Sequence, residues 1–464
     1  METSPFPKSF QFGVSTAAFQ IEGSLDKDGR GASIWDEFAR RPGTIVDGSF
    51  PAVSCNHYAD WEEDVRRLQH LGVDAYRFSL AWPRIFPDGK GKPNPKGVAF
   101  YDRLIDRLLE AGIRPWVTLY HWDLPLALHH SGCGWDRPDI IPVFTDYCEL
   151  CFRTYGDRVQ NWITFNEPWC TAVLGYGTGY FAPGIRDRAA CYRAGHHQLI
   201  AHGKVAALYR ESFRSVQNGR IGMANNCDYR HPATPTNEDR AAAERALEFF
   251  LGWFADPLYL GDYPQSMRDT LGDLLPQFTE LEKRDIMGSC DFFALNHYTT
   301  NLASAPEGSA GTNHASGNGG FMEDLGVDLS NDPSWENTHR NWRIVPWGLT
   351  RLLEWIDRRY GHPGIHITEN GFSIAGDTFE DLINDSDRIR YTQAYLNACA
   401  DAIDKGVDLR GYFHWCLTDD FDWANGYSCR FGLYHTDGNT GSKHIKRSGD
   451  WYAELIRQHH ISAK

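Results

Sequence analysis

The chain has 464 residues, 42% hydrophobic and 14% aromatic, so it can bury about three quarters of its extended-chain surface and is no disordered polypeptide. Its formal net charge of -15 argues against nucleic acid and anionic membrane partners, which are bound through excess Lys and Arg. No run of about 18 apolar residues occurs, which excludes a spanning helix.

At the N-terminus, METSPFPKSFQFGVS lacks the apolar core of an export signal, and eleven scattered cysteines fit reduced thiols better than a disulfide frame. The expectation is a cytoplasmic protein. Cys148 and Cys151 make one C-x-x-C without a second pair, which is too little for a zinc site. Along the chain, eight apolar or β-rich runs recur: QFGVSTAAF, AYRFSLAW, PWVTLYHW, NWITFNE, RIGMANN, DFFALNHY, GIHITEN and GYFHWCL. Most are followed by helical periodicity. After the first run, Tyr58, Trp61, Val65, Leu68 and Leu71 recur every three or four residues, and Gly72 stops the pattern. After the second, Leu104, Ile105, Leu108 and Leu109 repeat it up to Gly112. Strands alternating with helices imply parallel pairing through right-handed crossovers.

Eight such units without a long linker predict an α/β chain folded as a single (β/α)8 barrel, residues 1–464, with extended βα loops. An open doubly wound sheet is the alternative, but no glycine-rich dinucleotide fingerprint follows the first strand. Gly175, Gly177 and Gly179 read as loop turns. The doublets His129-His130 and His196-His197 read as surface or loop residues and poor ligand pairs. No P-loop, H-E-x-x-H or G-x-S-x-G motif is present.

Barrel active sites lie at the C-terminal ends of the strands. Strand one is expected to end in Phe19-Gln20-Ile21-Glu22, strand three in His121-Trp122-Asp123 and strand four in Asn166-Glu167-Pro168. Strand six ends in Asn296-His297-Tyr298, strand seven in Glu369-Asn370, and strand eight in Trp415 with Asp419, Asp420, Asp422 and Trp423 beyond. Carboxylates with His121 suit a metal, but indoles are no ligands and no ligand-spaced pair is visible, so no metal and no cofactor is expected. A small-molecule sugar is the better match, because ring faces lie on Trp while hydroxyls need amide, carboxylate and imidazole partners. An ionised glutamate is costly to bury unpaired. Glu167 and Glu369, from strands about three eighths of the barrel apart, are therefore candidates for glycosidic bond cleavage, one as proton donor and the other attacking the anomeric carbon or activating a water that does.

On its TFNEP and ITENG motifs the chain resembles glycoside hydrolase family one, the β-glucosidase and β-galactosidase group, over about Phe6 to Leu455. The resemblance implies retention by double displacement, with Glu167 as acid/base and Glu369 as nucleophile. It also implies Gln20, His121, Asn166 and Trp423 as sugar-hydroxyl contacts, Trp415 as platform, Arg77 and Tyr298 as nucleophile support, and Trp169 with Trp342 on the leaving-group side. Trp122 and Asn296 join the substrate-binding set from their strand ends. Where relatives usually read N-F-E-W, this chain reads Asp420-Phe421-Asp422-Trp423. The usual glutamate holds the 4- and 6-hydroxyls, so the shorter Asp422 raises the expectation of room for a 6-substituted glucoside. Transglycosylation, or a silent sugar-binding barrel, are the other readings; the second is disfavoured because both carboxylates are present. The Gly-, Ser- and Asn-rich stretch from Asn301 to Asn341 is expected on the rim.

Overall fold

Every one of the eight β-rich runs contributes a strand to one closed, parallel barrel in the computed structural model, which describes residues 5–306, 320–376, 378–437 and 441–463. The strands are β1 Gln11–Ser15, β2 Ala75–Ser79, β3 Arg114–Tyr120, β4 Asn161–Asn166, β5 Arg220–Asn226, β6 Phe293–Asn296, β7 Ile365–Asn370 and β8 Leu409–Trp415. Each pairs with its sequence neighbour, and β8 closes on β1 with Val14 opposite His414.

Helices cover the outside. Helix α1, His57–Leu71, buries Val65, Leu68 and Leu71 on one stripe and ends at Gly72, whose φ of 71° is the left-handed cap that glycine adopts without strain. Helix α2, Pro95–Glu110, starts on an Asn94 cap with proline in its first turn and buries Leu104, Ile105 and Leu108, while Leu109 stays exposed. Helix α3, Ile140–Tyr155, carries both Cys148 and Cys151 on its buried face, where burial pushes each thiol up and out of the reactive range.

The N-terminal half of the barrel interior is filled by Ala75, Trp116, Ile163, Ala224, Phe292, Ala294 and Phe413. Small residues make room for the three rings. A Cβ added at Gly13 would lie 2.4 Å from the Phe413 ring, so that strand needs glycine for close approach. Trp116→Ala is expected to cost about 3–5 kcal/mol, because neighbouring strands cannot collapse into the void. A fall in the urea midpoint checks this; an unchanged midpoint would contradict the plug.

Three expectations change. The first strand stops at Ser15, and Ala18–Ile21 is a helical turn anchored by the Ala18 amide donating to Ser79 Oγ at 2.7 Å. His196 and His197 are buried in the helix Arg188–Ser212, against Tyr263 and the Trp135 carbonyl at 2.9 and 2.8 Å, whereas His129 and His130 sit on a surface turn. Tertiary packing, with its polar partners on other elements, was invisible in the doublet itself. Gly175 and Gly177 belong to a π-helical stretch, Cys170–Gly177, and of the three only Gly179 makes a turn with positive φ. Above the barrel, Tyr229–Pro232, Thr300–Ser304 and Asp328–Ser330 form a small rim sheet. The middle of the Asn301 to Asn341 stretch lies outside the described residues.

Candidate active site

Local irregularity aims both glutamates inward. On β4, Ile163 faces the barrel interior and Thr164 faces out to His202, 2.7 Å away. The register against β5 then shifts between Ile163 and Asn166, so Phe165 also faces out, onto Trp135 and Phe144, and Asn166 returns to the interior. On β7, His366 packs inward on Trp116, and a shift after Ile367 leaves Thr368 and Glu369 both directed inward. Glu167 itself has a φ of 46°, and Trp122 and Trp423 have 72° and 52°. Such left-handed backbone costs about 1–3 kcal/mol per residue and clusters at functional sites.

The two carboxyls occupy opposite electrostatic settings. Arg77, fully buried, donates to Glu369 Oε1 at 2.6 Å, and the Tyr298 hydroxyl donates to Oε2 at 2.8 Å. The same guanidinium donates to Asn166 Oδ1 at 2.6 Å, which ties β2, β4 and β7 together. No cation is paired with Glu167 among the described residues, and Arg77 acts on it only at a distance. Asn296 Nδ2 donates to Glu167 Oε1 at 2.8 Å, and the Cys170 thiol meets Oε2 at 3.0 Å. Burial first, and then the charge of Glu369, push Glu167 up to about 8. Burial raises Glu369 as well, but Arg77 and Tyr298 pull it back, so Glu369 ionises first and Glu167 keeps its proton.

This division gives a pH expectation. The rate constant kcat/KM falls as pH rises through about 8, where free Glu167 loses its proton, and falls on the acid side as Glu369 gains one. A profile on an aryl glucoside checks it; activity that stays flat well above about 8 would contradict the assignment.

A cavity of about 310 Å³ opens above the pair, in the size range of a small-molecule site. His121, Trp122, Trp169, Asn296, Tyr298, Trp342, Trp415, Asp422 and Trp423 line it with the two glutamates. Arg77, Asn166 and Gln20 lie behind this lining. Asn166 Nδ2 donates to His121 Nε2 at 2.9 Å; burial holds His121 neutral, so its proton sits on Nδ1, which has no partner and is free to donate to a hydroxyl. Gln20 Nε2 donates to the Phe421 carbonyl at 3.0 Å, and its Oε1 is likewise unpartnered. Trp122 Nε1 donates to the Asn166 carbonyl at 2.8 Å, which makes it a brace for the site as well as part of its wall.

Other strand-end acids are structural. Glu22 is held by Arg84 and Tyr101 at 2.8 and 2.5 Å. Asp419 is paired with Lys446 at 2.6 Å, and Asp123, buried, is pushed up to about 8 and so stays neutral. Among the described residues no group of three His, Cys, Asp or Glu is arranged to hold a metal ion.

Several wall residues escaped the sequence reading. Arg340 donates to Asp422 Oδ2 at 2.5 Å while its guanidinium lies 4.4 Å over the Trp342 ring. Asn425 Nδ2 donates to the same oxygen at 3.1 Å. The methylene missing from Asp422 is thus met by a cation reaching in from the rim. Phe250 stacks on Trp169 at 5.0 Å, and the Arg230 guanidinium lies over the Phe250 ring at 4.2 Å. Arg340 directly precedes the N-W-R-I-V-P-W run that supplies Trp342 but carries no signal of its own, and Phe250 and Arg230 sit in segments with no strand-end signal.

A family model described as glycosyl hydrolase family 1 matches residues 2–461. The chain is 44% identical to Beta-glucosidase 4 of Oryza sativa subsp. japonica, covering 97% of this chain and 95% of that one. It is 43% identical to Beta-glucosidase 42 of Arabidopsis thaliana, over 98% and 94% of the two chains. A rice Os3BGlu6 β-glucosidase mutant, solved in a covalent complex with Glc from GA4GE, superposes with a TM-score of 0.94 at 40% identity, covering 97% of this chain and 98% of that chain.

Proposed function

The chain belongs to glycosyl hydrolase family 1, and from that premise we propose that Glu369 and Glu167 are the nucleophile and the acid/base with which it hydrolyses β-glucosides with retention. The observation that carries the assignment is the contrast between the two carboxyls: Glu369 faces a buried arginine at 2.6 Å, and Glu167 faces an amide and a thiol.

In the first step a Glu369 oxygen bonds to the anomeric carbon as the bond to the leaving oxygen breaks, and the Glu167 proton passes to that oxygen. The Glu369 charge is then consumed in an ester. Glu167 loses its repelling neighbour, becomes more acidic and accepts the proton of the incoming water, whose oxygen releases glucose and restores both groups. The free Nδ1–H of His121, the second Asn166 amide proton and Gln20 Oε1 supply hydroxyl contacts for the glycone, and Trp415 supplies its platform. Proton NMR of the nascent product tests the reading: the β-anomer of glucose is expected first, and the α-anomer first would overturn it.

The 6-substituted glucoside is the finer reading. The Arg340 guanidinium stands where the shorter Asp422 would otherwise leave room, so a second sugar at O6 needs that arginine displaced. Wild type is expected to favour plain glucosides, and Arg340→Ala to raise the ratio of 6-O-glycosylated to plain glucoside cleavage about tenfold or more, the equivalent of one lost steric and charge conflict. An unchanged ratio would remove Arg340 from this role. A cytoplasmic location is also proposed, supported by eleven free cysteines; recovery in the secreted fraction would overturn it.

A further inference from the structure

Two arginines reach the outer half of the cavity, and they differ in one respect. Arg340 has its counter-charge in Asp422. Arg230, on the rim strand Tyr229–Pro232, is 5% exposed and lines the same cavity. Among the described residues its polar partner is an amide, Asn301 Oδ1, and no carboxylate pairs with it; its Nε has no partner at all. The neighbouring acid on that wall, Asp228, turns one oxygen to backbone: its Oδ1 accepts from the Tyr298 and Thr299 amides at 3.3 and 3.0 Å, and it forms no ion pair with Arg230. Burying a guanidinium without an ion partner is unfavourable, because its hydration is lost and nothing charged replaces it. A ligand that brings a carboxylate supplies the missing charge.

The position of Arg230 specifies the rest of that ligand. Its guanidinium lies over Phe250, Phe250 stacks on Trp169, and Trp169 is two residues beyond Glu167. Trp169, Phe250 and Arg230 thus form a chain of contacts, aromatic, aromatic and cation, along the wall of the cavity that holds Glu167. Resting on the assignment of Trp169 to the leaving-group side, we propose that this enzyme prefers β-glucosides whose aglycone is an aromatic acid, with the ring between the stacked Trp169–Phe250 pair and Trp342 and the carboxylate on Arg230. A planar guanidinium takes a carboxylate through two parallel hydrogen bonds, which an amide of the same shape cannot match.

The test uses the glucosides of 4-hydroxybenzoate and of 4-hydroxybenzamide, equal in shape and different in charge. The quantity read is the ratio of kcat/KM for the acid to that for the amide, compared between proteins so that leaving-group differences cancel. Arg230→Met is expected to lower the ratio about tenfold or more relative to wild type, and Arg230→Lys to restore part of it. Arg340→Met, which removes a cation already paired with Asp422, is expected to lower the ratio by less than Arg230→Met does. A ratio unchanged in Arg230→Met, or lowered equally in Arg340→Met, would overturn the inference while leaving the two glutamates in place. If wild type cleaves neither glucoside nor a plain nitrophenyl glucoside, the catalytic assignment fails and takes this inference with it.

Discussion

Glu369→Gln is expected to lower kcat by about four to six orders of magnitude. An amide oxygen is a poor nucleophile toward the anomeric carbon, and no second carboxylate stands ready, because Glu167 is held protonated on the other side by burial and would have to attack and donate at once. At 1.36 kcal/mol per tenfold, the loss corresponds to about 5–8 kcal/mol of barrier. The substitution has a structural side too. Arg77 is fully buried and donates to Glu369 at 2.6 Å, so the neutral glutamine leaves a guanidinium without its charge partner. Thermal unfolding measured beside the kinetics separates the two effects. Loss of activity in a protein that still melts cooperatively and still binds glucose is the expected outcome; residual activity above about one per cent would contradict the nucleophile assignment.

Glu167→Gln is expected to behave differently, and the difference identifies the acid. With an alkyl glucoside, whose leaving oxygen needs a proton, kcat/KM should fall by about two to four orders of magnitude. With a dinitrophenyl glucoside the leaving group departs as a stable anion, so the first step survives and the second, which needs Glu167 to activate water, becomes limiting. A burst of phenol release followed by a slow steady state is the expected trace, with a steady state accelerated by azide, which needs no base to attack. Equal losses on both substrates, with no burst, would place the proton donor elsewhere. The alkaline limb of the pH profile, set in wild type by Glu167 near 8, should vanish in this variant.

The barrel and the meeting of Glu167 with Glu369 at one cavity were legible because they rest on signals that a linear pattern carries. Eight β-rich runs with intervening 3.6-residue periodicity leave few topologies, and a glutamate ending an apolar run lacks a packing reason to be there. Arg77 and Tyr298 as nucleophile support came only through the family resemblance, and Arg77, the middle residue of β2, carries no strand-end signal. What the pattern did not carry was geometry that depends on a second element. The bulges that turn Phe165 outward and Glu369 inward are set by pairing registers, not by residue type. His196 and His197 looked exposed as a polar doublet because their partners, Tyr263 and the Trp135 carbonyl, are more than 60 residues away in sequence. Cys170, placed by a π-helical turn, reads in the chain as one more thiol, yet it touches Glu167. Arg340 shows the same limit at the substrate end. The change from glutamate to Asp422 was visible, but the cation that meets it comes from a rim segment with no periodicity to place it.

Retention by double displacement requires a carboxylate that forms a bond to sugar. Incubation with a 2-deoxy-2-fluoro-β-glucoside bearing a dinitrophenyl leaving group, followed by intact-mass and peptide analysis, tests this most directly, because the fluorine slows both steps and the good leaving group restores only the first. The expected result is one added fluoroglucosyl unit per chain, located on the peptide containing Glu369 and absent in Glu369→Gln. An unmodified chain, or a label carried by any other residue, would contradict it.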